Sequence, residues 1–258
     1  MTEAARRIDL NADLGEGFGA WRMGDDAAML DVVTSANVAC GFHAGDPDIM
    51  AKTFALAREK YVAIGAHVAF PDLAGFGRRA IAMTPKEIER AVAYQIGAAQ
   101  ALAALSGHRI AYVKAHGALA NLAEKDAGVA DALARATRAV DASLALLAIA
   151  LSEQTRAGER AGLKVAHEIF ADRAYAEDGR LQPRGEAGAV ITDTDFALAR
   201  ARQMLAEGAL VTITGKRLPT PIDSICVHGD TAHAVDMARR LRAGLEQDGF
   251  ALRTFAGD

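Results

Sequence analysis

The chain has 258 residues, 51% of them hydrophobic and 24% charged, with a formal net charge of −4. That composition suits one globular domain, residues 1–258, with a large core, and excludes a basic nucleic-acid footprint. No apolar run approaches the roughly 20 residues of a membrane span, and the opening MTEAARRIDL lacks the apolar core of a signal peptide, so the expected location is cytoplasmic. Cys40 and Cys226 sit in apolar runs and read as small buried hydrophobes in a reducing compartment.

In chain order, Ile8–Gly19 (IDLNADLGEGFG) reads as a strand running into a glycine-rich loop. Alternation puts Asp9, Asn11 and Asp13 on one face, a polar row leading to Glu16. The row resembles a calcium loop only superficially, because Leu14 and Ala20 occupy the positions of its glycine and its glutamate. A dinucleotide loop would follow a buried apolar strand, which this polar row is not. Gly24–Val33 reads as a short helix and Ser35–Cys40 as a strand ending in GFHAGD. Pro47–Lys60 reads as a helix capped by Asp46. Tyr61–Ala66 is a strand followed by HVAFPDLAGFGRR. Thr84 and Glu87 form a capping box that opens a helix to about Ser106. Ile110–Val113 is a strand before KAHGALAN, and Leu119–Val140 is helical by composition. Leu144–Ile149 is a strand, Ser152–Ala161 a helix and Leu163–Ala166 a strand. A polar loop then runs to about Val190. Thr192–Gly208 is a helix, Leu210–Thr214 and Ser224–Val227 are the last strands, and Thr231–Asp248 is the final helix. Strands alternating with helices predict an α/β fold, an irregular (β/α) barrel of seven or eight parallel strands.

Five of the seven histidines, His43, His67, His116, His167 and His228, fall in loops just beyond the C-terminal ends of proposed strands. Asp13, Glu16, Asp46, Asp72, Lys114, Glu168 and Asp230 fall in the same places. In a β/α barrel those ends converge on the active-site face. Bland readings stand beside several of them: Asp46 and Asp230 as helix caps, Asp72 as a turn residue, His167 as a core histidine. Lys114 ends an aliphatic strand and has no evident structural reason to point inward. Carboxylates and imidazoles can activate water directly or through a divalent ion, and a lysine with arginines can stabilise an oxyanion. No G-x-S-x-G elbow, P-loop or H-E-x-x-H motif is present.

The motifs DLNADLGEGFG, NVACGFHAGD, GAH with FPDLAGFGRR, YVKAHGALAN, FADRAY with GRLQPR, and CVHGD occur in this order. With them the chain closely resembles the LamB/YcsF family over nearly its whole length. The resemblance implies a barrel similar to the glycoside hydrolase/deacetylase superfamily. It also implies ATP-dependent hydrolytic opening of the 5-oxoproline lactam to L-glutamate, by the A component of a three-subunit 5-oxoprolinase with subunits B and C as partners. The catalytic candidates are then Asp13, Glu16, His43, His67, Lys114 and His116. The substrate-binding candidates are Asn11, Asn37, Asp46, Arg173, Arg184, His228 and Asp230, with Asp172 also matching a motif. ATP is the expected co-substrate, bound here or by the partners. If a divalent metal is held, Asp13, His43 and His67 are its candidate ligands, with His116 as a substitute for His67. Val68, Ala115 and Ala120 depart from the family pattern, where proline, proline and tyrosine are expected, which bears on substrate identity. Two other readings compete: a stand-alone metal-dependent amidohydrolase or deacetylase, and a non-catalytic scaffold within the complex.

Overall fold

Ten strands and eight α-helices make up the described part of this computed structural model, which covers residues 6–228 and 233–256. The strands are β1 (Arg7–Leu14), β2 (Ser35–Ala39), β3 (Ala63–Val68), β4 (Ile110–Ala115), β5 (Ala145–Ile149), β6 (Lys164–Phe170), β7 (Ala209–Val211), β8 (Arg217–Pro219), β9 (Ser224–Val227) and β10 (Ala251–Leu252). Strands β1 to β6 pair in order and in parallel, and β9 joins β6 back to β1. Among the described residues, seven strands therefore close the barrel. The short β10 extends it by pairing with the start of β1, Arg7 opposite Ala251.

The helices are α1 (Asp26–Leu30), α2 (Pro47–Glu59), α3 (Pro85–Leu105), α4 (Gly117–Ala123), α5 (Ala127–Val140), α6 (Glu153–Arg160), α7 (Thr194–Glu207) and α8 (Ala234–Gln247). Their starts follow the sequence signals. Asp46 caps α2 with Pro47 in its first turn, and Thr84 with Glu87 forms the capping box of α3. The outward faces of the strands (Leu10, Ala12, Val38, Ile64, Ala66, Val113, Leu146, Ile225) pack with apolar helix residues such as Phe54, Val92, Leu133, Leu198 and Leu241 in one core. That layer fixes the strands and so aims their other faces inward.

Three expectations need correction. Leu210–Thr214 is not a barrel strand: β7 ends at Val211 and pairs antiparallel with β8 outside the barrel. Leu119–Val140 is two helices, because the chain turns at 124–126 and Asp126 caps α5 through the amides of Gly128 and Val129. Several strands also run further than their apolar stretches suggest. Strand β3 reaches Val68, β4 reaches Ala115 and β6 reaches Phe170, so His67, Lys114 and Glu168 lie within strands rather than in loops. The reason is the polar interior: a polar residue inside a strand looks like the strand's end. The start of the last helix at Thr231 lies outside the described residues, which resume its path in α8.

Candidate active site

Alternation sends Asp9, Asn11 and Asp13 of β1 into the barrel, where Asn37 (β2), His67 (β3), Tyr112 and Lys114 (β4), Glu168 (β6), and Ser224 and Cys226 (β9) meet them. All ten are buried. Many of these polar groups satisfy one another, with Ser35 and Thr34 adding hydrogen bonds to Asp9. Lys114 Nζ lies 2.8 Å from Glu168 Oε1 and 3.1 Å from Asp13 Oδ1, and it also reaches Asn11 Oδ1 (3.3 Å) and Cys226 Sγ (3.2 Å). Asn37 donates to both Asn11 Oδ1 (2.7 Å) and Asp13 Oδ1 (2.8 Å) and accepts from the Tyr112 hydroxyl (2.7 Å). Gly65 makes room for the Tyr112 ring, because a Cβ there would lie 2.2 Å from it.

Charge states follow from these neighbours. Burial alone would raise the Asp13 carboxyl, but His67 and Lys114 outweigh it and hold Asp13 well below the usual range. Burial would likewise lower the Lys114 ammonium, and Asp13 with Glu168 holds it up, so the pair is ionised. Burial keeps Cys226 a thiol, well above its ordinary value.

Directly above, Glu16, His43, His67 and His116 bring one ligand atom each to within 4.8 Å of one another. Glu16 Oε1 is 3.1 Å from His43 Nε2 and 3.7 Å from His116 Nδ1, and that Nδ1 is 3.0 Å from His67 Nε2. Tetrahedral bonds of about 2.1 Å place ligand atoms about 3.4 Å apart, so these separations fit a divalent ion. His116 Nε2 faces the Phe76 carbonyl at 2.9 Å and must carry a proton, which turns the bare Nδ1 inward as a ligand requires. Burial, then the neighbouring imidazoles, hold His43 and His116 well below their ordinary value, so both are neutral donors. The rings of His43 and His116 stack at 3.8 Å, and Gly77 permits it: a Cβ there would lie 2.7 Å from His43 Cβ and 2.9 Å from His116 Cδ2. The second glycine of the GFGRR motif is thus part of the imidazole cluster. This donor set is a carboxylate and three histidines; Asp13, a candidate ligand from sequence, lies 3.4 Å from His67 and belongs to a second group of possible ligand atoms with Cys226 and His228.

A cavity of about 580 Å³ opens over Asp13, His67, Lys114, His116 and Glu168. Its outer wall includes Arg173, Arg184 and His228. His228 is held by Asp172 at 2.7 Å and stacks on Phe170. Arg184 is exposed and makes no hydrogen bond or ion pair among the described residues. Arg173 reaches the wall too, but its guanidinium also binds the carbonyls of Gln182 and Ala189, shaping the segment from Asp172 to Val190. Asn11 and Asn37 lie beneath the cavity, fully buried. Asp46 stays at its cap, accepting from the amides of Gly19, Asp48 and Ile49, and is not brought to the cavity. Asp72 is bound to Arg79 and the Gly75 amide. His167 lies on the face of β6 opposite Glu168 and so points away from the barrel interior. Asp230 lies outside the described residues. Sequence reading sets Glu168 at a strand end without naming it a site candidate, and leaves Cys226 and Tyr112 out altogether. The alternation Ala166–Glu168–Phe170 is the available signal for the first.

The class these features define is a parallel β/α barrel whose C-terminal mouth is equipped to activate water. Residues 8–257 match the model of the LamB/YcsF family, and the chain belongs to that family. A protein of Gluconobacter oxydans (strain 621H), named as the A component of 5-oxoprolinase, is 63% identical, over 96% of this chain and 98% of its own. The crystal structure of a lactam utilization protein from Thermus thermophilus superposes with a TM-score of 0.91 at 41% identity, covering 96% of this chain and all of the other. A T48 deacetylase shares the barrel alone, with a TM-score of 0.51 at 15% identity over 97% of this chain and 88% of its own. None of the helices is long and apolar enough to cross a membrane, among the described residues.

Proposed function

We propose that this chain is the ring-opening A component of an ATP-dependent 5-oxoprolinase that works with subunits B and C in the cytosol and converts 5-oxoproline to L-glutamate. One observation carries the reading: the paired Asp13, Lys114 and Glu168 and the imidazoles of His67 and His116 line one cavity, with a free arginine at its wall. The high identity to proteins named as the A component of 5-oxoprolinase supports the substrate.

A lactam resists water because attack destroys amide resonance. Transfer of a phosphoryl group from ATP to the lactam oxygen removes that resistance. The chain has no P-loop, so we assign the transfer to B and C. Water then adds to the activated carbon, and the bare Nδ1 of His116 takes its proton. Breaking the C–N bond, with a proton delivered to the ring nitrogen, leaves an acyl phosphate. Its hydrolysis yields glutamate and phosphate. Lys114 lies where negative charge would gather on oxygen. Arg184, with Arg173 beside it, binds the substrate carboxylate or the phosphoryl group. The segment from Phe170 to Val190 covers the cavity as a lid.

The test is ATP-dependent release of glutamate from 5-oxoproline by this chain alone and with B and C. Release only from the full mixture supports the reading, and release by B and C without this chain overturns it. Arg184→Ala is expected to raise KM ten- to a hundredfold with little change in kcat, the worth of one charged hydrogen bond. An unchanged KM in steady-state assays removes Arg184 from binding.

The spacing of Glu16, His43, His67 and His116 also favours a divalent cation at that cluster. A bound ion there would polarise an oxygen and lower the pKa of water, and with His116 Nδ1 among its ligands it would replace that nitrogen as the means of activating water. The purified protein is then expected to carry about one equivalent of metal by elemental analysis, and His43→Ala to lose it. Protein free of metal after purification and after dialysis against zinc would count against this.

A further inference from the structure

Below the site, the barrel axis holds a chain of hydrogen bonds with a single direction. Ser224 donates to Asp9 Oδ2, so its only proton is committed. Asn11 must therefore present its amino group to Ser224 Oγ, at 2.7 Å. That choice turns Asn11 Oδ1 toward Lys114 Nζ (3.3 Å) and Asn37 Nδ2 (2.7 Å). All the intervening groups are fully buried, so no water can substitute for a missing partner. If Asp9 donated instead of accepting, the Ser224 proton would point at Asn11. The amide would then turn over and aim an N–H₂ group at the Lys114 ammonium.

We propose that Asp9 is a positioning residue for Lys114, acting through the Ser224 hydroxyl and the Asn11 amide, and that the site is competent only when Asp9 is ionised. This rests on the role given to Lys114 above. The Ser35 and Thr34 hydroxyls also donate to Asp9 Oδ1, each at 2.6 Å, so the carboxylate form is the one the surroundings are built to accept. The titratable groups facing Asp9 from the packed strands are Glu168 of β6 and Tyr112 and Lys114 of β4; β2 and β9 present Ser35 and Ser224 at its level. Burial, offset in part by the three hydroxyls, brings its pKa up from 3.8 to about 6. The active form accordingly gains population as the pH rises through about 6.

The experiment compares kcat/KM against pH for the complete enzyme with this chain as wild type, Asp9→Asn and Ser224→Ala. The Lys114 side-chain amine is followed in parallel by NMR of the isolated chain, assigned through its loss in Lys114→Met. The wild type is expected to show an acid limb near pH 6, and its Lys114 resonance to move over the same range. Groups that orient a functional residue are worth about ten- to a hundredfold in metal sites, and a drop of that order is expected for both variants. In Ser224→Ala the limb near pH 6 should vanish, because Asp9 no longer reaches the site; a residue that merely held the fold would leave the limb in place. Wild-type kcat/KM in both variants with an unshifted Lys114 resonance would overturn the proposal. Should the wild type open no lactam, the functional reading fails, while the pH response of the Lys114 resonance and its loss in Ser224→Ala still decide the positioning role.

Discussion

Asp13→Asn is expected to lower kcat for lactam opening by about three to four orders of magnitude while leaving the fold in place. The size follows from cases in which a buried aspartate beside a catalytic imidazole is replaced by its amide. In this chain Asp13 Oδ1 accepts from Lys114 and Asn37, and Oδ2 lies 3.4 Å from His67 Nε2. An asparagine can keep an oxygen on the first two partners, so packing and the Lys114–Glu168 pair survive. Its nitrogen then faces His67, where it offers a donor in place of a negative charge. The imidazole loses the group that orients it, and the His67–His116 contact at 3.0 Å loses its polarity. The measurement is kcat with the partner subunits present, alongside a thermal melt. Near-normal turnover with an unchanged melt would remove Asp13 from the chemistry and shift it to Glu16, which faces the imidazoles from the other side.

Much of this arrangement is legible in the sequence because a barrel turns a linear period of two into a place. The row Asp9–Asn11–Asp13 points to an interior polar face, and His43, His67, His116 and Lys114 at strand ends point to its mouth. Where the reading fails, local signals compete with tertiary ones. Asp46 carries the same signal whether it caps a helix or meets a substrate, and in the fold its hydrogen bonds go to the cap amides of Asp48 and Ile49 and to the Gly19 amide. His167 lies one position from Glu168, and a single residue of register decides which of the two enters the barrel. The apolar run Leu210–Thr214 looks like any barrel strand, and only the antiparallel partner at Arg217–Pro219 shows otherwise. Tyr112 and Cys226 stay hidden because an aromatic and a thiol are ordinary core residues. Their polar atoms matter only once Asn37 and Lys114 are known to lie beside them.

Lys114→Met is expected to invert the response of stability to acid as well as abolish turnover. In the wild type Lys114 is the cation between two buried carboxylates, Asp13 and Glu168. Removing one partner of a buried pair typically costs about 3–5 kcal/mol, because the charge left behind is unpaired and dry. Here two carboxylates are left, which repel each other as well. Wild-type Asp13 has a folded pKa below its ordinary 3.8, so its contribution to stability is fully present above that value and is lost as the pH falls through the folded pKa. In the variant the ammonium no longer offsets burial, and with only His67 left beside it the Asp13 carboxyl is expected to rise above its unfolded value. The folded state then binds protons more readily than the unfolded one, and stability grows as the pH falls from neutral toward about 4. Denaturant titrations at pH 8 and pH 5 decide the matter: the deficit of the variant against wild type should shrink markedly at pH 5. A deficit independent of pH would mean that Lys114 acts through packing of its aliphatic stem, and the ionised triad at the cavity floor would have to be abandoned.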